Sequence, residues 1–239
     1  MGRFYTALLM WNVATRSAAI ELIDEPVESL DELAESFRDI TLINRRFGGT
    51  AVASFGLRNL ELRTLLDVGT GLADIPKTIL EARRRRGKPL SITCLDNNET
   101  LVQLARRRHA SDSEMTFVCG DGTSLPFEKG AFDVAMCNLA FHHFHPEAAI
   151  ALLRELRRVS RITPIVTDLV RSRLSVLAAL SFSRLFTRNR LTRHDAPLSA
   201  RRAYTRAEAV ALAQRAGWRA PRTESFRFIR MVLRDDATL

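Results

Sequence analysis

The chain has 239 residues, 36 Lys and Arg against 27 Asp and Glu for a formal charge of +9, and an apolar fraction of 46%. That apolar content excludes wholesale disorder, and the length suits one large domain or a domain with a lid. Three cysteines, none in C-x-x-C spacing, exclude both a small disulfide-framed fold and a zinc ribbon, so a reduced, cytoplasmic setting is expected.

Arginine outnumbers lysine 33 to 3, a bias that suits a GC-rich genome. The charge is also lopsided, with a net −3 over residues 1–150 and +12 over 151–239. A basic last third of this kind attracts RNA, anionic lipid or an acidic protein, or is simply a solvated Arg-rich face. Residues 174–186 form the longest strongly apolar stretch, and Ser and Arg interrupt it. It falls short of the roughly 17 to 25 residues that a spanning helix needs, so no transmembrane segment is expected.

The chain opens with Arg3 and a mostly apolar run from Phe4 to Ala14. This run superficially resembles a short secretory signal, and Met1-Gly2 with Thr6 fits the loose myristoylation pattern. An amphipathic first helix packed on the domain is the expectation. Over 27–60, Leu30, Leu33, Ala34, Phe37, Ile40 and Ile43 recur at helical spacing opposite Asp31, Glu32 and Glu35. Helices therefore precede the first strand.

From Thr64 the pattern changes to short apolar runs, each closed by a polar or glycine turn and followed by a helical stretch. That alternation predicts a parallel α/β sheet. Strands are expected at 64–68, 90–95, 115–119, 132–137 and 162–167, with helices at 75–86, 99–109 and 146–158. Cys94, Cys119 and Cys137 fall in or at the ends of these strands and are expected to be core hydrophobes. Beyond Asp168 the pattern predicts a basic apolar helix over 171–187, a loop rich in Arg, His, Asp and Pro through Ala203, and a helix over 206–216 closed by Gly217. Phe226, Phe228, Ile229, Met231, Val232 and Leu233 suit one or two terminal strands.

The most informative segment is Leu65-Leu66-Asp67-Val68-Gly69-Thr70-Gly71-Leu72-Ala73-Asp74, a strand running through a glycine turn into a helix. Glycines there let a ligand approach the backbone. The dinucleotide fingerprint wants glycine at position 74, where Asp stands and would oppose a pyrophosphate. No G-K-[ST] follows for a P-loop.

The segment resembles motif I of class I S-adenosylmethionine-dependent methyltransferases. The resemblance runs on through 64–168. Asp96, with Asn97 beside it, follows the second strand where the family places the acid that accepts both ribose hydroxyls. Gly120-Asp121-Gly122 is similar to the adenine site. Phe132 to Asn138 is similar to the fourth-strand motif, and Phe141-His142-His143-Phe144 to the loop after it in the ubiquinone-biosynthesis-like branch. Ala73 stands where many members carry a third glycine.

The resemblance implies a Rossmann-like, mostly parallel seven-stranded sheet with helices on both faces. It adds an N-terminal helical cap over 1–60 and a helical insertion at about 170–203, after the fifth strand. S-adenosyl-L-methionine is the cofactor it implies, held by Asp67, Gly69, Gly71, Asp96, Asn97, Asp121, Gly122 and Asn138. His142 or His143 would be the general base for a phenolic acceptor. The segment 43–49 resembles a substrate cap. Arg46, Phe141 and His194 are the substrate-side candidates, and His194 with Asp195 stands close in sequence to Arg201 and Arg202. No metal site is expected.

Residues 174–186, edged by Arg171, Arg173, Arg184 and Arg188, read either as a lid or core helix or as an interfacial helix making peripheral membrane contact. The expected acceptor is a small molecule, an oxygen of a phenolic, quinone-like or polyketide product. The segments 44–49 and 193–195 resemble methyltransferase-domain proteins encoded beside type III polyketide synthases. Two further readings stand. One is an RNA methyltransferase using the basic third, although nucleic acid is not the expected partner because Asn138-Leu139-Ala140-Phe141 lacks the two prolines used in gripping a flipped base. The other is a catalytically silent cofactor-binding scaffold.

Overall fold

The structure is a computed structural model that describes residues 13–24, 30–46 and 48–238. A short 3-10 turn at Leu22–Asp24 is followed by helices α1 (Leu30–Arg46) and α2 (Gly49–Gly56) and strand β1 (Thr64–Val68). Next come α3 (Asp74–Arg84), β2 (Ser91–Asp96), α4 (Glu99–Arg108), β3 (Met115–Cys119) and β4 (Phe132–Asn138). After a 3-10 turn at Phe141–His143 the chain continues through α5 (Pro146–Val159), β5 (Ser160–Leu169), α6 (Arg173–Phe186), α7 (Arg190–Arg202) and α8 (Arg206–Arg215). Strands β6 (Pro221–Phe226) and β7 (Arg230–Asp235) complete the fold.

The seven strands form one sheet in the order β3-β2-β1-β4-β5-β7-β6. The first five pair in parallel, and β7 runs antiparallel to both β5 and β6. Alternation along the strands divides the core. Leu66, Val68, Ala135 and Cys137 pack with α5 and α8, while Leu65, Val134 and Met136 pack with α2, α3 and α4. Both faces of the central strands are therefore covered, which is why their sequences read as continuous apolar runs. Truncating a fully buried residue such as Leu153 or Leu156 should cost about 2–5 kcal/mol.

Several ends are set locally. Asn98 accepts hydrogen bonds from the amides of Thr100 and Leu101 to cap α4, and Thr205 with Glu208 forms a reciprocal capping box on α8. Gly217, at φ +88°, turns the chain out of α8 as expected of a glycine past a helix end.

Three expectations change. Residues 13–21 are not helical, so the expected first helix is absent over its described part, and residues 1–12 lie outside the described residues. The expected loop through Ala203 is α7, with Pro197 inside it and Asn189 capping its start. Asn189 caps the start of the helix, the Ala203 amide donates to the Ser199 carbonyl at its end, and burial of Leu191, Leu198 and Ala200 holds the helix despite the proline. Cys94 and Cys137 are buried, but Cys119 is exposed, because it ends β3 where that strand leaves the sheet edge.

Candidate active site

The strand order reverses direction at β1, whose neighbours are β2 and β4. In open α/β sheets the crevice beyond the carboxyl ends of the strands at such a point is where ligands bind. Asp96, Cys119 and Asn138 end β2, β3 and β4, so the predicted cofactor residues converge there.

The turn after β1 is held by backbone hydrogen bonds. Gly69 and Thr70 donate their amides to the carbonyl of Leu95. Gly71 donates to Oδ2 of Asp96 at 2.8 Å, and Asn98 donates to Oδ1 at 3.0 Å. Gly69 (φ +73°) and Gly71 (φ +55°) are left-handed. A Cβ on Gly69 would lie 2.6 Å from Cβ of Ala140, whereas one on Gly71 meets only Phe37, at 3.5 Å. Gly69 is thus demanded by the close approach of the turn after β4, and Gly71 by its backbone angle beneath α1. Ala73, which stands where many members of the resembling family carry a third glycine, is also left-handed at φ +58° and starts α3 without a side-chain cap.

Below the turn lies a buried polar chain. The Asn138 side-chain amide donates to Asp67 at 2.6 Å, and Thr167 donates to the Asn138 carbonyl oxygen at 2.6 Å. Asp67 is 2% exposed. Burial pushes its pKa up to about 7, against the hydrogen bonds of Thr70 and Asn138, and the charge of Asp96 adds to the rise. Asp67 and Asn138 therefore form the floor of the crevice. Asn97 and Asp121 are exposed. Both carboxylate oxygens of Asp121 accept hydrogen bonds from Thr123, at 2.8 and 2.7 Å, in a tight turn. Gly122 is buried, with space for a Cβ closed by Val68 at 2.7 Å.

The turn after β4 separates the two histidines. His142 is 4% exposed. Its backbone amide donates to Asp168 Oδ2 at 2.7 Å, and its Nδ1 lies 2.8 Å from Asp168 Oδ1. Burial alone lowers the His142 pKa, but the charge and hydrogen bond of Asp168, with Glu21 beyond, outweigh it and raise the net value. Burial acts on Asp168 in the opposite sense and is likewise outweighed by His142, so its carboxyl sits below the ordinary range. The His143 side chain keeps 29% exposure, with Nε2 3.9 Å from Glu21 Oε2.

Glu21 escaped the sequence reading. It is 3% exposed, Ser199 donates to its Oε2 at 2.7 Å, and Arg202 Nη1 stands 3.4 Å from its Oε1. Glu21, His142 and His143 present ligand atoms within 4.8 Å of one another, but the guanidinium of Arg202 already neutralises the carboxylate. Arg16 extends the same network, donating to the carbonyls of His142, Phe144 and Arg202 while its guanidinium lies 4.6 Å over the Tyr204 ring. Asp195 accepts the amides of Leu22 and Ile23. The N-terminal strap, α7 and the turn after β4 are one hydrogen-bonded unit. Sequence spacing carries no signal for such pairs of an acid with a distant arginine.

The substrate-side candidates fare differently. Phe141 is fully buried and packs on Tyr204 with ring centroids 4.9 Å apart. It is a core residue, not a substrate contact, because the turn points it inward while carrying His143 outward. Arg46 is exposed at the end of α1, and Phe47 lies outside the described residues. The half-exposed His194 is paired through Nδ1 with Asp195 at 2.7 Å.

Residues 65–162 match the family profile of the methyltransferase domain. This match assigns residues 65–162 to a methyltransferase domain, and the strand order and the acid beside the glycine turn agree with that assignment. Among known proteins it is 37% identical over 73 residues to a candidate phthiotriol and phenolphthiotriol dimycocerosates methyltransferase of Mycobacterium ulcerans, covering 30% of this chain and 27% of that one. It is 36% identical over 103 residues to the Xenopus tropicalis tRNA (carboxymethyluridine(34)-5-O)-methyltransferase alkbh8, covering 39% of this chain and 16% of that one. The chain thus spans about a quarter or less of these curated relatives.

Two solved structures share the fold. An S-adenosylmethionine-dependent methyltransferase of Aquifex aeolicus superposes at TM-score 0.60 and 15% identity, over 83% of this chain and 96% of that one. A candidate O-methyltransferase of Nostoc punctiforme superposes at TM-score 0.62 and 14% identity, over 98% of this chain and 68% of that one.

Proposed function

We propose that the chain transfers a methyl group from S-adenosylmethionine to an oxygen of a small apolar acceptor of phenolic, quinone-like or polyketide type. The observation that carries this is Asp96. Its carboxylate, 8% exposed at the end of β2, is fixed by two backbone amides, and each oxygen retains acceptor capacity toward a cis-diol. The glycine turn at Gly69 and Gly71 leaves the backbone beside Asp96 free of side chains.

In this reading Asp96 takes the ribose hydroxyls, Asp121 and Gly122 border the adenine, and Asn97 lines its edge. Asp67 and Asn138 hold the glycine turn from below. The cofactor, when bound, supplies a methyl group already activated by a sulfonium, so the chain's own work is alignment. His143 is the base that takes the acceptor's hydroxyl proton, since His142 is engaged by Asp168. Residues 1–60 and the α6–α7 insertion form the acceptor's cap.

The two relatives support acceptors of different kinds. The mycobacterial relative is named for an apolar acceptor, and the basic last third together with the tRNA-modifying relative favours RNA as a second reading. Purified protein incubated with S-adenosylmethionine and either a panel of phenols, quinols and alkylated polyketides or bulk tRNA decides between them by mass spectrometry. Methylated phenol or quinol is the expected product. Methylated tRNA alone would overturn the small-molecule reading.

A further inference from the structure

Helix α6 is the outlying element of the insertion and packs chiefly on α7. Its buried side is Ser175, Val176, Phe182 and Ser183. The opposite side is apolar where water would normally select polar residues. Leu174, Leu177 and Leu185 are 52%, 48% and 75% exposed, while Phe186, 58% exposed at the helix end, stacks on the buried Phe182. Positions 174, 177, 181 and 185 recur at helical spacing, so the three leucines, with Ser181 between them, form one stripe and not scattered exposure. At 1.5 Å per residue, the 14 residues of α6 make a ridge roughly 20 Å long.

The segment that carries the stripe holds one sign of charge. From 170 to 194 there are six arginines and no Asp or Glu. Arg173, Arg184, Arg188, Arg190 and Arg193 are exposed. Acids of α1 reach only the end of α6, where Asp39 accepts from Thr187 and Glu35 from Asn189; an apolar ridge edged by arginines along the rest is the chemistry of a helix lying in the boundary between headgroups and acyl chains. Leucines enter the acyl boundary while guanidiniums meet phosphate oxygens.

We propose that this face of α6, with the arginines on either side, docks on an anionic lipid bilayer. Charge complementarity selects that occupant. A second copy packed face to face would set the same arginines against one another, which opposes a two-fold dimer through this ridge. The docking does not depend on methyl transfer. Where the proposed function also holds, it brings the α6–α7 cap to the surface from which an apolar acceptor would leave the bilayer.

The test is co-sedimentation with vesicles of equal parts phosphatidylglycerol and phosphatidylcholine, beside vesicles of phosphatidylcholine alone. Binding to the first and not the second, weakened by added salt, is expected. The pairs Leu177→Ser with Leu185→Ser and Arg184→Gln with Arg188→Gln should each lower partitioning by roughly tenfold or more. Circular dichroism and titration with S-adenosylhomocysteine should match the parent protein in both variants, which separates lost docking from lost fold and from failure of the cofactor reading.

Equal binding to neutral vesicles, no binding to either, or full binding by both variants would overturn the proposal. So would a dimer in sizing chromatography that the leucine variant dissolves, which would assign the ridge to a second copy. Capture by polyglutamate that tracks the arginines but ignores the leucines would assign it to an acidic protein.

Discussion

His142 and Asp168 form a buried pair, Nδ1 to Oδ1 at 2.8 Å, with the backbone amide of His142 donating to the other carboxylate oxygen. The pair ties the turn after β4 to the end of β5, and it holds the ring that precedes His143. Removing the imidazole strands a buried carboxylate. His142→Ala should therefore cost about 3–5 kcal/mol of stability, read as a lower urea midpoint. His143→Ala should leave the midpoint nearly unchanged and lower turnover by roughly 10²–10⁴-fold with S-adenosylhomocysteine affinity intact. Full turnover in His143→Ala would leave alignment as the whole mechanism.

Stability should fall toward alkaline pH, for two reasons with the same sign. The raised His142 pKa gives stability that is complete below the unfolded value of about 6.5 and is lost as pH rises through the folded value above it. Asp168, held below its ordinary range, contributes above about pH 3.9 and loses that contribution only as pH falls through its depressed value. Asp67, raised to about 7, keeps a proton in the folded chain that the unfolded chain has released, so stability declines between about pH 4 and 7, at most by ~1.4 kcal/mol per pH unit. Urea melts across pH 4 to 8 in roughly unit steps should show this slope. Asp67→Asn should flatten its lower part, and an unchanged slope in that variant would mean the carboxyl ionises freely.

Glu21 anchors the N-terminal strap through Ser199 and Arg202. Glu21→Ala leaves the Arg202 guanidinium, itself 8% exposed, short of its carboxylate and should destabilise the fold by about 1–3 kcal/mol. The strap should then open locally. Amide exchange at Leu22 and Ile23, whose amides bind Asp195, would rise before that of the sheet. Protection equal to the parent protein would show that Asp195 holds the strap alone.

Ala73 and Gly69 make opposite predictions within one turn. Ala73 adopts φ +58°, a left-handed angle that costs an L-residue about 1 kcal/mol, so Ala73→Gly should change stability by less than about 1 kcal/mol and preserve cofactor binding. Gly69→Ala forces a Cβ against Ala140 at 2.6 Å and should cost about 1–3 kcal/mol while displacing the turn after β4. Thermal melts of the two variants compare them directly. Equal destabilisation would mean that backbone angle, and not the close approach, governs the turn.

What the sequence disclosed was what is coded locally. The strand-to-helix turn at Gly69 and Gly71, the acid at Asp96 and the glycine past α8 each depend on residues a few positions apart, and all fall where expected. Misreadings came from contacts across the chain. Phe141 looked like a substrate contact because its loop carries histidines, but only the fold shows it turning in against Tyr204. Segment 188–203 looked like a loop because Pro197 and Asp195 disfavour helix, whereas Asp195 is buried there binding the amides of Leu22 and Ile23. Glu21, Arg16 and Arg202 meet only once residues far apart in sequence are brought together, and no periodicity records that.

The most direct test of the account is calorimetric titration with S-adenosylmethionine and S-adenosylhomocysteine, with NADH as control, on the parent protein and on Asp96→Ala. Binding of both sulfur compounds, none of NADH, and an affinity lowered by about 1–3 kcal/mol in the variant is the predicted result. Binding of neither sulfur compound, or equal affinity in Asp96→Ala, would contradict the assignment of the crevice at the ends of β1, β2 and β4 to this cofactor.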